Sequence, residues 1–142
     1  YRNKLLTMVS SHGLENHVFF VNVFLDSTEL IKAIQSSDAV ILPYTASEQS
    51  SSGVLALALG CGRPVIATNF QHARAVLNDE NGLLVPIGHV NALAPAIELL
   101  ARDCDKRKEM ARASYNLSRS WIWPEVAQRH FDLLDKLNGE SL

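Results

Sequence analysis

The tightest constraint on this chain lies between Asp38 and Thr68, in the stretch DAVILPYTASEQSSSGVLALALGCGRPVIAT. Two short apolar runs, Ala39 to Leu42 and Val65 to Ala67, bracket a polar loop and a run of small residues. Pro43 ends the first run, and Gly62-Arg63-Pro64 leads into the second. Continuous apolar runs of this length, bounded by turn residues, suit strands buried on both faces of a parallel sheet. The segment between them is too long for a hairpin and suits a crossover helix. Its apolar part, Gly53 to Leu59, is almost all Val, Leu and Ala, so a buried helix is expected there.

The residues ahead of that helix are Gln49-Ser50-Ser51-Ser52-Gly53. A serine caps a helix start, and a glycine lets another backbone approach closely. A helix N-terminus with free N–H groups, at the carboxyl end of a parallel strand, is suited to an anion. The pattern therefore reads as a phosphate cradle, and equally as an ordinary serine-capped helix.

Composition narrows the field of partners. Thirteen Lys and Arg against fifteen Asp and Glu leave no basic excess, so nucleic acid is not an implied partner. Its 142 residues suffice for one domain with a sizeable core. No apolar run approaches the length of a membrane span. Cys61 and Cys104 stand in no metal-binding spacing; reduced, buried thiols are expected, which points to the cytoplasm.

Taken in order, Tyr1 to His12 suits an amphipathic helix ended by Gly13, and His17 to Val21 a strand. Asp26 and Glu29 form a capping-box pattern for a helix to about Ser36, with Leu30, Ile31, Ala33 and Ile34 inward. Beyond Thr68, a short helix is expected over His72 to Leu77 and a strand over Gly82 to Pro86. Helices follow from about Asn91 to Arg102, with Pro95 tolerable in a first turn, and from the charged run at Asp103 to near Arg119. Trp121 to Pro124 is a break, both tryptophans packing on neighbouring helices. A last helix runs from Glu125 to about Leu137, and Gly139 to Leu142 is frayed. Strands alternating with helices mean an α/β parallel sheet with helices on both faces. Right-handed crossovers then bring the loops at Asn22, at Tyr44 to Ser52 and at Asn69 to His72 to one rim.

In this order the motifs carry a resemblance. Asp38-Ala39-Val40-Ile41-Leu42-Pro43, Gly53-Val54-Leu55, Gly62-Arg63-Pro64-Val65-Ile66-Ala67-Thr68 and Gly82-Leu83-Leu84-Val85-Pro86 resemble the C-terminal, donor-binding half of family 4 glycosyltransferases. Trp123-Pro124-Glu125-Val126-Ala127 resembles that family's closing helix, so the likeness covers nearly the whole chain. It implies a Rossmann-like domain, one half of a GT-B fold, and residues 1–142 as a single nucleotide-sugar-binding domain. It also implies a longer enzyme. The acceptor-binding N-terminal domain, the first strand of the donor domain, and the Arg and Lys that follow that strand are not among these residues. Any membrane contact would run through the acceptor domain, at the inner face of the membrane.

The implied activity is retaining transfer from a nucleotide-diphospho-sugar to an acceptor, with no resident cofactor and no required metal. The resemblance puts Ser51, Ser52, Gly53 and Val54 at the diphosphate, and Glu48 or Gln49 at the sugar hydroxyls. Val23, Phe24 and Tyr44 are candidate walls for the base, and His72 a candidate on the rim. No catalytic nucleophile is evident. Relatives carry two glutamates across the loop and helix; here the first position is Gln49, beside Glu48, and the second, the ribose acceptor, is Leu57. A missing charged hydrogen bond costs about 1.5–3 kcal/mol, roughly ten- to a hundredfold in affinity. A further glutamate of the family falls at Ala75. Two alternatives stay open: a degenerate module that binds without turnover, and a sugar-nucleotide epimerase of the same architecture.

Overall fold

Strand Val65–Thr68 is buried at all four residues, and its two faces build two separate cores. Val65 and Ala67 point into one, with Ile34, Leu42, Leu55, Ala58, Leu59, Phe70, Ala73 and Leu77. Ile66 points into the other, with Val85, Leu100 and Met110. Successive strand residues face opposite sides, so a strand covered on both sides must be apolar throughout. That is why this run lacks the alternation of a half-exposed strand.

The computed structural model describes residues 1–139. In chain order its elements are α1 (Arg2–Ser11), α2 (Ser27–Ser36), β1 (Val40–Leu42), α3 (Gly53–Gly60), β2 (Val65–Thr68) and α4 (Gln71–Val76). β3 (Gly82–Val85), α5 (Val90–Arg102), α6 (Cys104–Arg119) and α7 (Trp123–Gly139) complete them. The sheet is parallel, in the order β1-β2-β3, with Val40 beside Val65 and Val65 beside Gly82. Residues of α2, α3 and α4 fill the first core, and those of α5 and α6 the second. This is the expected α/β arrangement, a Rossmann-like parallel sheet with helices on both faces.

Local signals set the helix ends. Asp26 and Glu29 form the reciprocal capping box, at 2.8 and 2.9 Å. Asp103 caps α6 by accepting from the Lys106 N–H at 2.8 Å. Helix α3 ends in a Schellman motif: Gly62 takes φ +63°, and the Arg63 N–H donates to the Ala58 carbonyl at 2.9 Å. Pro64 then sends the chain straight into β2. Gly82 is demanded by packing rather than by its backbone angles. A Cβ there would stand 2.6 Å from the Val65 carbonyl oxygen of the paired strand.

Several expectations need correction. Residues 17–21 form no strand; the Leu14 carbonyl accepts from His17 and Val18 in a turn, and the chain then continues without regular structure, with Phe19 and Val21 exposed. A strand is made by its partner, and among the described residues none pairs with this segment. Helix α1 forms as expected but buries none of its residues. Pro95 lies inside α5, which begins at Val90, rather than in its first turn; it sits on the exposed face. Trp121 packs against the first core, whereas Trp123 opens α7 and is 84% exposed. The cysteines are free but not buried: Cys61 is half-buried and Cys104 exposed at the start of α6. Gly139 is the last residue of α7, and 140–142 lie outside the described residues.

Two glycines give opposite predictions. Gly82→Ala forces a methyl onto backbone and lowers stability by about 1–3 kcal/mol. Gly60→Ala, in the last turn of α3 with open space around it, raises stability by about 0.5–1 kcal/mol. Urea unfolding midpoints of the two variants check both signs.

Candidate functional site

Strand β1 ends at Leu42, and the chain crosses the carboxyl edge of the sheet as the loop 43–52 before entering α3. Thr68, the last residue of β2, holds the start of that loop. Its Oγ1 lies 2.6 Å from the Tyr44 carbonyl oxygen and 3.3 Å from that of Leu42. The Tyr44 ring packs on buried Phe70, with centroids 4.9 Å apart. A cleft opens beside it at the ends of all three strands, lined by Pro43, Tyr44, Thr68, Val85, Pro86 and Leu93.

The far end of the loop is built on Ser52, which is buried. Its Oγ accepts from the Leu55 N–H at 3.2 Å, and its carbonyl accepts from Ala56 at 3.2 Å. Its own N–H donates to Nδ1 of His72 at 2.8 Å. The Tyr44 hydroxyl stands 3.4 Å from the same Oγ. Three of the donors around the start of α3 are therefore committed within the chain. The N–H groups of Gly53 and Val54 have no partner among the described residues.

Helix α4 contributes to the same junction. It has no side-chain cap. Instead its first two N–H groups reach across: Gln71 donates to the Ser47 carbonyl at 2.8 Å and His72 to the Gln49 carbonyl at 3.0 Å. A helix start leaves such donors orphaned, and here the serine loop supplies their acceptors. Two of the three loops expected on the rim thus meet through hydrogen bonds. Asn69 adds a tie to the third strand's exit: its N–H donates to the Val85 carbonyl at 2.9 Å, and its Oδ1 accepts from Ile87 at 3.2 Å.

The remaining candidates fall as follows. Glu48 and Ser51 are exposed; a Glu48 carboxylate oxygen accepts from the Ser47 hydroxyl at 2.8 Å. Gln49 is half-buried, and its Nε2 donates to the Ser51 carbonyl at 3.1 Å. Gly53 faces open space, with nothing among the described residues within 4 Å of where a Cβ would stand. Val54 and Leu57 are half-buried and pack against the first core. Leu57, at the family's second glutamate, is thus used for packing. Ala75 is exposed on α4. Val23 and Phe24 are 68% and 96% exposed, and among the described residues no hydrogen bond or ring contact ties them to the loop. Among the described residues no group of three or more His, Cys, Asp or Glu is placed to hold a metal. Sequence reasoning missed Thr68, Ser47 and Phe70 as supports. Ser47 acts through its backbone carbonyl, for which residue type carries no signal.

Chemically, the junction offers two unpaired N–H groups at the positive end of a helix, beneath a glycine that leaves the approach open. Such a terminus favours negative charge.

Comparison with known proteins agrees with this architecture. The family model for "Glycosyl transferases group 1" matches residues 1–103. A D-inositol 3-phosphate glycosyltransferase of Paenarthrobacter aurescens is 36% identical over 101 residues, covering 70% of this chain and 24% of that protein. A phosphatidyl-myo-inositol mannosyltransferase of Mycobacterium leprae is 34% identical over 118 residues, 82% of this chain and 31% of that protein. The chain thus spans a quarter to a third of the curated relatives it matches. Among solved structures, a sucrose-phosphate synthase of Thermosynechococcus elongatus superposes with a TM-score of 0.78 at 25% identity, over 99% of this chain and 35% of that one. Anabaena HepE in complex with UDP-glucose superposes at 0.77 and 24% identity, over 98% of this chain and 37% of that one. With the family model matched over most of its length and the α/β fold shared with GT-B enzymes, the chain belongs to the group 1 glycosyltransferases.

Proposed function

We propose that this chain is the donor-binding half of a retaining glycosyltransferase, acting on a nucleotide-diphospho-sugar together with an acceptor-binding domain. The observation that carries this reading is the open start of α3. Among the described residues, the Gly53 and Val54 N–H groups at the carboxyl edge of the sheet have no partner, and no atom lies within 4 Å of where a Cβ on Gly53 would stand. A glycine at a helix start with no steric reason inside the fold fits a ligand that closes on its backbone. The complexes of the Anabaena neighbour with UDP and with UDP-glucose support the nucleotide sugar as ligand class.

In the reaction the bond between the anomeric carbon and the diphosphate oxygen breaks, an acceptor hydroxyl oxygen bonds to that carbon from the same face, and its proton passes to the leaving diphosphate. Positive charge spreads over the sugar ring, and negative charge grows on the leaving diphosphate. Fixed donors aimed at growing charge stabilise the transition state more than the ground state. Gly53 and Val54 supply such donors without reorganisation, because the Ser52 cap and the α4 contacts already hold the helix start. Glu48 is exposed on the same loop, where its carboxylate accepts from the sugar hydroxyls, and half-buried Gln49 beside it offers its amide oxygen. The loop 43–53 contains no Lys or Arg, so the cations that balance a diphosphate come from outside it. The proposal involves no resident cofactor or required metal, and it places the reaction on the cytoplasmic side. Among the described residues no helix is long and apolar enough to cross a membrane.

Leu57 favours one second reading, binding without turnover. Its side chain packs on the core, so no carboxylate stands at the ribose position of the family. Product formation separates the readings. A domain that takes up nucleotide sugars while the full enzyme releases no nucleotide supports the binding module.

An amide NMR titration of the full chain with UDP, GDP and ADP, then with the matching sugar nucleotides, tests the site. Shifts centred on Ser51 to Val54 for one base are expected; silence at millimolar ligand contradicts the reading. Gly53→Val keeps the free energy of unfolding within about 0.5 kcal/mol of the parent and weakens nucleotide binding about tenfold, the equivalent of one lost hydrogen bond. Glu48→Ala lowers affinity for the sugar nucleotide but leaves that for the bare nucleoside diphosphate unchanged.

A further inference from the structure

The serine loop is joined to α4 by three hydrogen bonds, and they differ in kind. Two run from the Gln71 and His72 N–H groups to carbonyls of Ser47 and Gln49. Any residue other than proline at those positions makes them. The third, from the Ser52 N–H to His72 Nδ1 at 2.8 Å, depends on the imidazole itself. It reaches the last residue of the loop, which holds an extended conformation (φ −143°, ψ 109°) from which α3 begins. A ring nitrogen that accepts a hydrogen bond carries no proton, so the neutral imidazole bears its proton on Nε2.

We propose that His72 is a positioning residue for the donor diphosphate. By taking up the Ser52 N–H it locks that residue in its capping geometry, so that the Gly53 and Val54 N–H groups are held ready for the anion. This inference rests on the donor-binding reading. It assigns His72 a different role from a rim group that touches the ligand. The half-buried ring acts on the ligand through Ser52. The bond also limits the donor set: the Ser52 N–H, which would otherwise be a third donor, is withdrawn from any ligand.

Two variants and two readouts test this. His72→Leu removes the acceptor. His72→Asn keeps one, because its Oδ1 is attached to Cγ as Nδ1 is in histidine. In the unliganded full chain, nitrogen NMR should find the Nε2–H tautomer at His72. Exchange of the Ser52 amide should speed up at least tenfold in the Leu variant and recover in the Asn variant. Titration with UDP, GDP and ADP should show affinity for the preferred nucleotide about five- to tenfold lower in the Leu variant, and restored in the Asn variant. Unchanged Ser52 exchange in the Leu variant would overturn the proposal. So would equal or tighter nucleotide binding, which would show the freed Ser52 N–H serving the ligand better than the bond to His72 does. If the parent chain binds none of the three nucleotides, the donor-binding reading and the ligand role of His72 both fall. If it binds and the Leu variant binds equally, only the role of His72 falls.

Discussion

The junction between the serine loop and α4 is the interaction on which the rest of this site depends. Each helix start leaves orphan N–H groups, and each side supplies what the other lacks. Ser47 and Gln49 carbonyls receive the first donors of α4, and His72 receives the Ser52 N–H. Ser52 meanwhile caps α3 with its own hydroxyl. Among the described residues, the arrangement leaves the Gly53 and Val54 N–H groups at the start of α3 without a partner. A loop held at both ends in this way is preorganised, and preorganisation is what makes backbone dipoles effective against developing charge.

That junction is possible because β2 is buried from both sides. Val65 and Ala67 on one face and Ile66 on the other anchor two cores, so β1, β2 and β3 end at one edge. These strands were legible because burial on both faces requires an unbroken apolar run, and Pro43 and Gly62-Arg63-Pro64 mark its limits. Residues 17–21 misled for the complementary reason. Their side chains suit a strand, but strand formation needs a neighbouring backbone, which residue type does not report. Pro95 falls beyond the first turn from the expected start near Asn91 as well as from the observed start at Val90, and its place on the exposed face is what the sequence did not report.

The site was legible in part. Ser52 and Gly53 announce a capped helix start with open backbone, and both the capping and the anion reading describe the same atoms. His72 could be named from its position after a strand, but the direction of its ring could not. A contact between residues twenty apart in sequence has no local signature. Leu57 was legible as a departure from the family and became intelligible in the structure. It packs on the core beside Val54, so the helix face that would have carried a carboxylate serves stability instead.

The most direct test of the central claim is a crystal structure of the full chain with the nucleoside diphosphate that it binds most tightly. The account predicts diphosphate oxygens within hydrogen-bonding distance of the Gly53 and Val54 nitrogens, with the bond between Ser52 and His72 intact. A diphosphate bound elsewhere on the sheet edge, with those two N–H groups still unpaired, would contradict it.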